Sequence, residues 1–227
     1  MKLQNETELG PGVHGRWYND ACGTAFGMEL IGERWSLLVV RELMFGPLRF
    51  SALRANLPGI SAKVLTERLE KLEAANVLAK RVLPPPSSAQ VYELSKWGYA
   101  AEPLIQELGR WAARSAQHDP TLPLSPTSFM LSLRTMLNSA KAGDWHARIG
   151  FRFPGIGFVA ELAEGRMPVT RTEPENCEAV FVAPAGPSLA AMFYGGAPAD
   201  EVGVQIQGNV TTAEQFMTLF DLPEKIG

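Results

Sequence analysis

The chain has 227 residues, of which 46% are apolar and 20% are charged, and its formal net charge at pH 7 is −3. This length accommodates two small domains, and the composition is ordinary for a globular protein. The weakly acidic balance argues against a strongly basic nucleic-acid-binding protein, and no continuous apolar run is long enough for a membrane-spanning helix.

The first half of the chain reads as helices followed by a β-hairpin. Residues 1–20 are polar and contain glycine and proline, which is typical of a loose arm. Two segments with helical apolar spacing follow, separated at Gly32. A short helix over "RFSALRANL" leads through the turn "PGIS" into a helix that begins at the N-cap Ser61 and runs to about Ala75, with Asn76 as C-cap.

Next come two short strand-like runs, "VLAKRVL" and "VYELS", joined by a proline- and serine-rich turn. Residues 96–117 form an amphipathic segment that Pro103 either kinks or begins. Residues 118–128 are rich in proline and polar residues, as linkers often are.

The second half alternates strands and helices. It reads as a helix, a hairpin around "PGIG", a strand, a short helix, a strand and a last helix with Thr211 or Thr212 as N-cap. A further strand near "RMPVTRTEP" is hard to place. We predict an α+β protein: an arm (1–20), a winged helix-turn-helix domain (21–117), a linker (118–128) and a C-terminal α+β domain with a mixed or antiparallel sheet (129–227).

Charge is unevenly distributed along the sequence. From Arg49 to Lys96 there are eight Lys or Arg against four Glu, whereas residues 121–227 carry seven basic and eleven acidic residues. Helices joined by a short turn and followed by a hairpin wing are the layout of a winged helix-turn-helix, and a locally basic segment there points to a polyanion partner. The predicted DNA contacts are Arg49, Ser61, Lys63, Thr66, Arg68, Lys80 and Arg81. For Lys63 and Arg68 the alternative is a solvated charge on a helix surface.

Residues 22 to about 115 resemble the HxlR family of transcriptional regulators, which is related to the MarR group. The resemblance rests on "GERW", "GPLRFSALR", "LPGIS" and "LTERLEKLE" in that order, and on the later "YELSKWGYA". It implies a homodimer that binds palindromic operator DNA, with the first and last helices of the domain at the dimer interface.

The resemblance also draws attention to Cys22, because the HxlR pattern has a cysteine here that resembles a redox or electrophile sensor in some members. A position near a helix N-terminus favours the thiolate, and the nearby Asp20 disfavours it. The alternative is a small buried residue at the dimer interface. Cys177 lies far away in sequence, so no disulfide framework or zinc motif is expected, and a reducing cytoplasm is the expected location.

Residues from about 125 onward resemble the sterol-carrier-protein type 2 (SCP2-like) fold. The relevant stretches are "ARIGFRFPGIGFVAELAEG", "CEAVFVAPAGPSLAAMFYGG" and "VQIQGNVTTAEQFMTLFDL". The resemblance implies an apolar cavity between sheet and helices, and an apolar small-molecule effector. The predicted lining residues are Phe151, Phe153, Phe158, Met192, Phe193, Phe216 and Phe220. An ordinary packed core is the alternative for each.

The sequence offers no catalytic constellation. The three histidines, His14, His118 and His146, are scattered, and "GGAPADE" lacks the ending of a phosphate-binding loop. We therefore predict no enzyme, no metal site, no cofactor and no membrane partner. The favoured function is a homodimeric transcriptional regulator that binds double-stranded operator DNA. The alternatives are a lipid or small-molecule carrier whose helical domain dimerises, and a C-terminal module that stabilises the dimer or binds a partner without any ligand.

Overall fold

The structure is a computed structural model, and it describes residues 18–85 and 87–226. Most of the predicted arm, including His14, therefore lies outside the described residues. The described chain falls into two compact units. Unit 1 comprises the described residues up to Leu43 together with Pro47–Ala100, and unit 2 comprises Met44–Gly46 and the residues from Ala101 onward. The domain boundaries at residues 117 and 129 remain predictions.

Unit 1 contains helices followed by a hairpin, as the sequence predicts. Its elements are α1 (Gly23–Ile31), α2 (Ser36–Glu42), α3 (Phe50–Asn56), α4 (Ala62–Ala74), β1 (Leu78–Val82), β2 (Gln90–Leu94) and α5 (Lys96–Tyr99). The two strands are antiparallel, and Lys80 lies opposite Tyr92.

The core of unit 1 is formed by the apolar sides of α2, α3 and α4. Its fully buried side chains include Val39, Val40, Leu43, Leu53, Leu65, Leu69 and Leu72. Helix α4 ends one residue earlier than the sequence suggests, with Ala75 at the C-cap. Asn76 follows in the left-handed region (φ 57°), a conformation that commonly terminates helices.

Unit 2 is a mixed sheet with helices. Its elements are α6 (Glu102–Ala113), α7 (Pro126–Met136), α8 (Ser139–Ala142), β3 (Ala147–Phe153), β4 (Ile156–Leu162), β5 (Val169–Thr170), β6 (Ala179–Val182), α9 (Gly186–Gly195), β7 (Gln205–Gly208) and α10 (Val210–Met217). The strand order is β5-β4-β3-β6-β7. Only the β3–β6 pair among these neighbours is parallel, so the sheet is mixed.

Four local features refine the sequence predictions. Pro103 lies in the first turn of α6 and so marks a helix start and not a kink. The single helix predicted at the start of the second half is two helices in the structure, since α7 ends at Met136 and Asn138 caps α8. The stretch that was hard to place contributes the two-residue strand β5. The prediction of Thr211 or Thr212 as N-cap of the last helix is wrong, because Asn209 accepts from the backbone N–H of Thr212 at 3.1 Å.

Candidate nucleic-acid interface

The turn between α3 and α4 is held in place by buried apolar side chains and by its backbone conformation. Leu57 and Ile60 are buried on either side of it, and the Ile60 N–H donates to the Leu57 carbonyl oxygen at 3.1 Å. Gly59 has φ 90°, a region that glycine adopts without a steric penalty. Ser61 then caps α4, since its Oγ accepts from the backbone N–H of Val64 at 3.2 Å. The start of α4 is thereby well defined.

The outer face of α4 is polar and points away from the core. Lys63, Thr66 and Glu70 are exposed, whereas Leu65 and Leu69 on the other side are buried. Within the described residues, the Lys63 ammonium has no salt-bridge partner. This face therefore presents one unpaired cation and one hydroxyl at its N-terminal end, and a carboxylate further along. Ammonium and hydroxyl groups are donors that suit phosphate oxygens and base edges.

Arg68 lies on a flank of α4 and not on that outer face. Its guanidinium forms a salt bridge with Glu33 and donates through Nε to the carbonyl oxygen of Arg34 at 3.0 Å. Lys71 of the same helix also pairs with Glu33. Two of the three cations of α4 are thus directed to the turn between α1 and α2.

The two predicted cations of the wing have carboxylate partners. The Lys80 ammonium lies 3.6 Å from Glu73 of α4 and 5.9 Å from the centre of the Tyr92 ring. The Lys80 backbone N–H also donates to Glu73. Arg81 pairs with Glu93 of the neighbouring strand at 2.9 Å. Both cations remain exposed, and the Glu73 contacts connect the C-terminal part of α4 to the wing.

Two residues of this region were not singled out from the sequence. Arg54 is exposed in the last turn of α3, and its guanidinium has no salt-bridge partner among the residues that the structure describes. Its position between the buried Leu53 and Leu57 was the available signal, because neighbours of inward residues on a short helix face outward. The second such residue is Glu33. Nothing in the sequence around Glu33 indicates that it contacts α4.

The predicted ligand-lining residues are buried in unit 2. Phe151, Phe193 and Phe216 have ring centroids 6.1 to 6.2 Å apart, and Phe220 lies 5.0 Å from Phe216. Phe153 and Phe158 form a separate edge-to-face pair at 6.2 Å, and Met192 is also buried. Phe181, which sequence reasoning missed, stacks on Phe151 at 5.4 Å. Within each of these two groups the rings pack against one another.

Cys22 is exposed at the N-cap of α1. Hydrogen bonds from the backbone N–H groups of Thr24 and Ala25 lower the pKa of its thiol below the ordinary value, because they stabilise the thiolate. Asp20 accepts from the Cys22 backbone N–H at 2.9 Å. Burial instead raises the pKa of the Cys177 thiol.

Among residues 18–85 and 87–226, no cluster of His, Cys, Asp and Glu side chains is arranged to hold a metal ion. No helix in that part of the chain has both the length and the apolar character needed to cross a membrane.

Helix α3, the short turn, helix α4 and the paired strands after it define a helix-turn-helix protein with a β-hairpin wing. Residues 30–120 match the family model described as HxlR-like helix-turn-helix. The chain is 36% identical over 94 residues to the HTH-type transcriptional regulator YodB of Bacillus subtilis, a match that covers 41% of this chain and 84% of that protein. The chain belongs to the HxlR-like helix-turn-helix family, which confirms the resemblance seen in its sequence.

Two further similarities cover a comparable share of the chain. The uncharacterized HTH-type transcriptional regulator YvaP of B. subtilis is 36% identical over 85 residues, which are 37% of this chain and 79% of that protein. The structure of the reduced form of YodB is 33% identical with a TM-score of 0.39, and the match covers 44% of this chain and all of that one.

Proposed function

We propose that this protein is a transcriptional regulator and not an enzyme, and that it binds operator DNA through α4 and the wing. The observation that carries the proposal is the exposed Lys63, which has no salt-bridge partner among the described residues, beside Thr66 on the outer face of a capped helix-turn-helix. Its membership of the HxlR-like family adds support, since its relatives include proteins named as transcriptional regulators. Arg49, Ser61, Lys80, Arg81 and Arg54 complete the proposed contact surface.

We also propose that the regulator acts as a homodimer. Two helices expose apolar side chains that a second copy of the chain would cover: Phe26 and Met28 on α1, and Leu104, Leu108 and Trp111 on α6. Trp111 is 72% exposed, which is unusual for so large an apolar ring. Two identical subunits would present two α4 helices to the two halves of a palindromic site.

Unit 2 is proposed to be an SCP2-like domain that modulates DNA binding through an apolar effector held among the predicted lining residues. The mixed sheet and its buried phenyl rings support an apolar interior. The contacts between those rings favour the competing proposal, a module without ligand that stabilises the dimer or binds a partner. An effector acting through unit 2 would have to bind the DNA-bound and free forms with different affinity.

The experiment is an equilibrium titration of the full-length protein into a labelled duplex from its own upstream region, at four salt concentrations. A DNA-binding regulator releases counterions, so the logarithm of the affinity falls linearly with the logarithm of the salt concentration. A carrier that uses its helical domain only for dimerisation would give no salt-sensitive binding. Repeating the titration with fatty acids and sterols separates the two proposals for unit 2, since only an effector domain would change the affinity.

A further inference from the structure

We infer that Glu33 and Arg68 are positioning residues for DNA recognition: their ion pair sets the rotation of α4 about its axis and hence the direction in which Lys63 and Thr66 point. This inference rests on the proposed function of α4 as the DNA-contacting helix. It gives Arg68 a different role from the direct DNA contact predicted from the sequence.

The Glu33–Arg68 pair is shielded from solvent. The side chains of Arg68 and Glu33 are 15% and 17% exposed, whereas that of Lys71, the second cation on Glu33, is 56% exposed. A shielded pair is less weakened by salt than a surface pair. The guanidinium is fixed in two directions, by the carboxylate and by the Arg34 carbonyl oxygen. A lysine ammonium at the end of a flexible stem does not reproduce both contacts in one plane.

The turn that receives Arg68 is itself conformationally fixed. Trp35, the N-cap of α2, has φ 82°, a region that a bulky side chain adopts only when its surroundings hold it there. The Arg34 guanidinium lies 5.2 Å above the Trp35 ring. The same ring faces Gly59, where a Cβ would meet Trp35 Cη2 at 3.9 Å. Residues 33–35 thus approach α4 at its flank and at the turn that precedes it.

The location of Arg68 on the helix explains why this contact controls direction. Successive α-helical residues are about 100° apart, so Arg68 lies about 200° around the axis from Thr66 and about 140° from Lys63. The buried leucines hold α4 on the core, and their close packing leaves room only for a small roll about the helix axis. An ion pair on the side away from the outer face resists that roll. Releasing it would turn Lys63 and Thr66 without unfolding the helix.

The test is the same duplex titration with Glu33→Gln, Arg68→Gln and Arg68→Lys. We expect Glu33→Gln and Arg68→Gln to weaken binding by about 3- to 30-fold with the salt dependence of the wild type. Since neither side chain contacts a phosphate in this proposal, no counterion contribution is lost. Arg68→Lys should give an intermediate loss, because lysine keeps the pairing with Glu33 but loses the contact with the Arg34 carbonyl. Asp221→Asn, which breaks an exposed ion pair with Lys141 in unit 2, is the matched control and should bind as the wild type.

Each result of this titration has a different meaning for the inference. A salt slope about one unit shallower in Arg68→Gln would make Arg68 a phosphate contact and overturn the inference. Tighter binding by Glu33→Gln would overturn it too, because it would mean that Glu33 withholds Arg68 from DNA. Unchanged affinity in all three variants would overturn the inference alone, whereas a wild type that does not bind DNA would overturn the proposed function. If the single variants unfold, the double variant Glu33→Arg with Arg68→Glu, which restores an ion pair, is the deciding test. A double variant that folds but does not regain the affinity for the duplex would count against a positioning role.

Discussion

Arg49 donates from Nη2 to the Oγ of Ser87 at 3.0 Å, so the residue that precedes α3 is held to the loop of the wing. The neighbouring Leu48 exchanges two backbone hydrogen bonds with Tyr92 of β2, at 3.0 and 2.8 Å. The entrance of the helix-turn-helix and the wing are therefore joined by both main-chain and side-chain contacts. Arg49 has further guanidinium donors beyond the one that Ser87 receives, and these are available to a phosphate.

Ser87→Ala separates the two roles of Arg49. It removes one exposed hydrogen bond and leaves the charge, so we expect the binding free energy for the duplex to weaken by less than about 1 kcal/mol with an unchanged salt slope. Arg49→Ala removes the charge as well and should reduce both the affinity and the slope. Fluorescence anisotropy across the salt series measures both quantities. Equal effects of the two variants would mean that Arg49 only holds the wing.

Lys63→Ala tests the outer face of α4 directly. Because Lys63 is exposed and unpaired within the described chain, its loss leaves no partner group exposed, and the effect on DNA binding should be specific. We expect the variant to weaken operator binding by about 1–3 kcal/mol, the range for a base contact. Lys141→Ala, in unit 2, is the control for the loss of one positive charge. An operator affinity equal to that of the wild type at fixed salt would remove Lys63 from the contact surface.

The elements of unit 1 were predictable because their signals are local. The apolar spacing of Leu65, Leu69 and Leu72, the cap at Ser61 and the turn at "PGIS" each involve residues within one or two helical turns. The partner of Arg68 was not predictable in this way. Glu33 lies 35 positions earlier, and a salt bridge between residues so far apart depends on how the turn between α1 and α2 packs against α4.

Unit 2 shows the same distinction between local and long-range signals. The hairpin of β3 and β4 follows from alternation around "PGIG". The parallel pairing of β3 with β6 has no local signal, since it joins segments separated by the rest of the hairpin and by β5. Strand β5 has two residues, too few to show a period. Phe181 became identifiable as a core residue only when β6 was placed beside β3.

The two cysteines should differ in reactivity. The pKa of the Cys22 thiol is lowered by backbone hydrogen bonds, and that of Cys177 is raised by burial. At any pH below the ordinary thiol pKa, Cys22 therefore carries the larger thiolate fraction, and the thiolate is the nucleophile. We expect iodoacetamide to alkylate Cys22 faster, and its rate to reach a plateau at lower pH than the rate of Cys177. Peptide mass spectrometry over a pH series measures both, with Cys22→Ser as control. Faster labelling of Cys177 would contradict the prediction.

The last helix allows a stability test with a matched pair of variants. Asn209 caps α10 through its side-chain oxygen, whereas Thr211 is exposed within the first turn of that helix. Asn209→Ala leaves a backbone N–H of α10 without its side-chain acceptor, and we expect the free energy of unfolding to fall by about 1 kcal/mol. Thr211→Ala should change it by less than about 0.5 kcal/mol, as is usual for an exposed site. Urea denaturation followed by circular dichroism compares the two. A larger loss of unfolding free energy for Thr211→Ala than for Asn209→Ala would mean that Thr211 caps the helix.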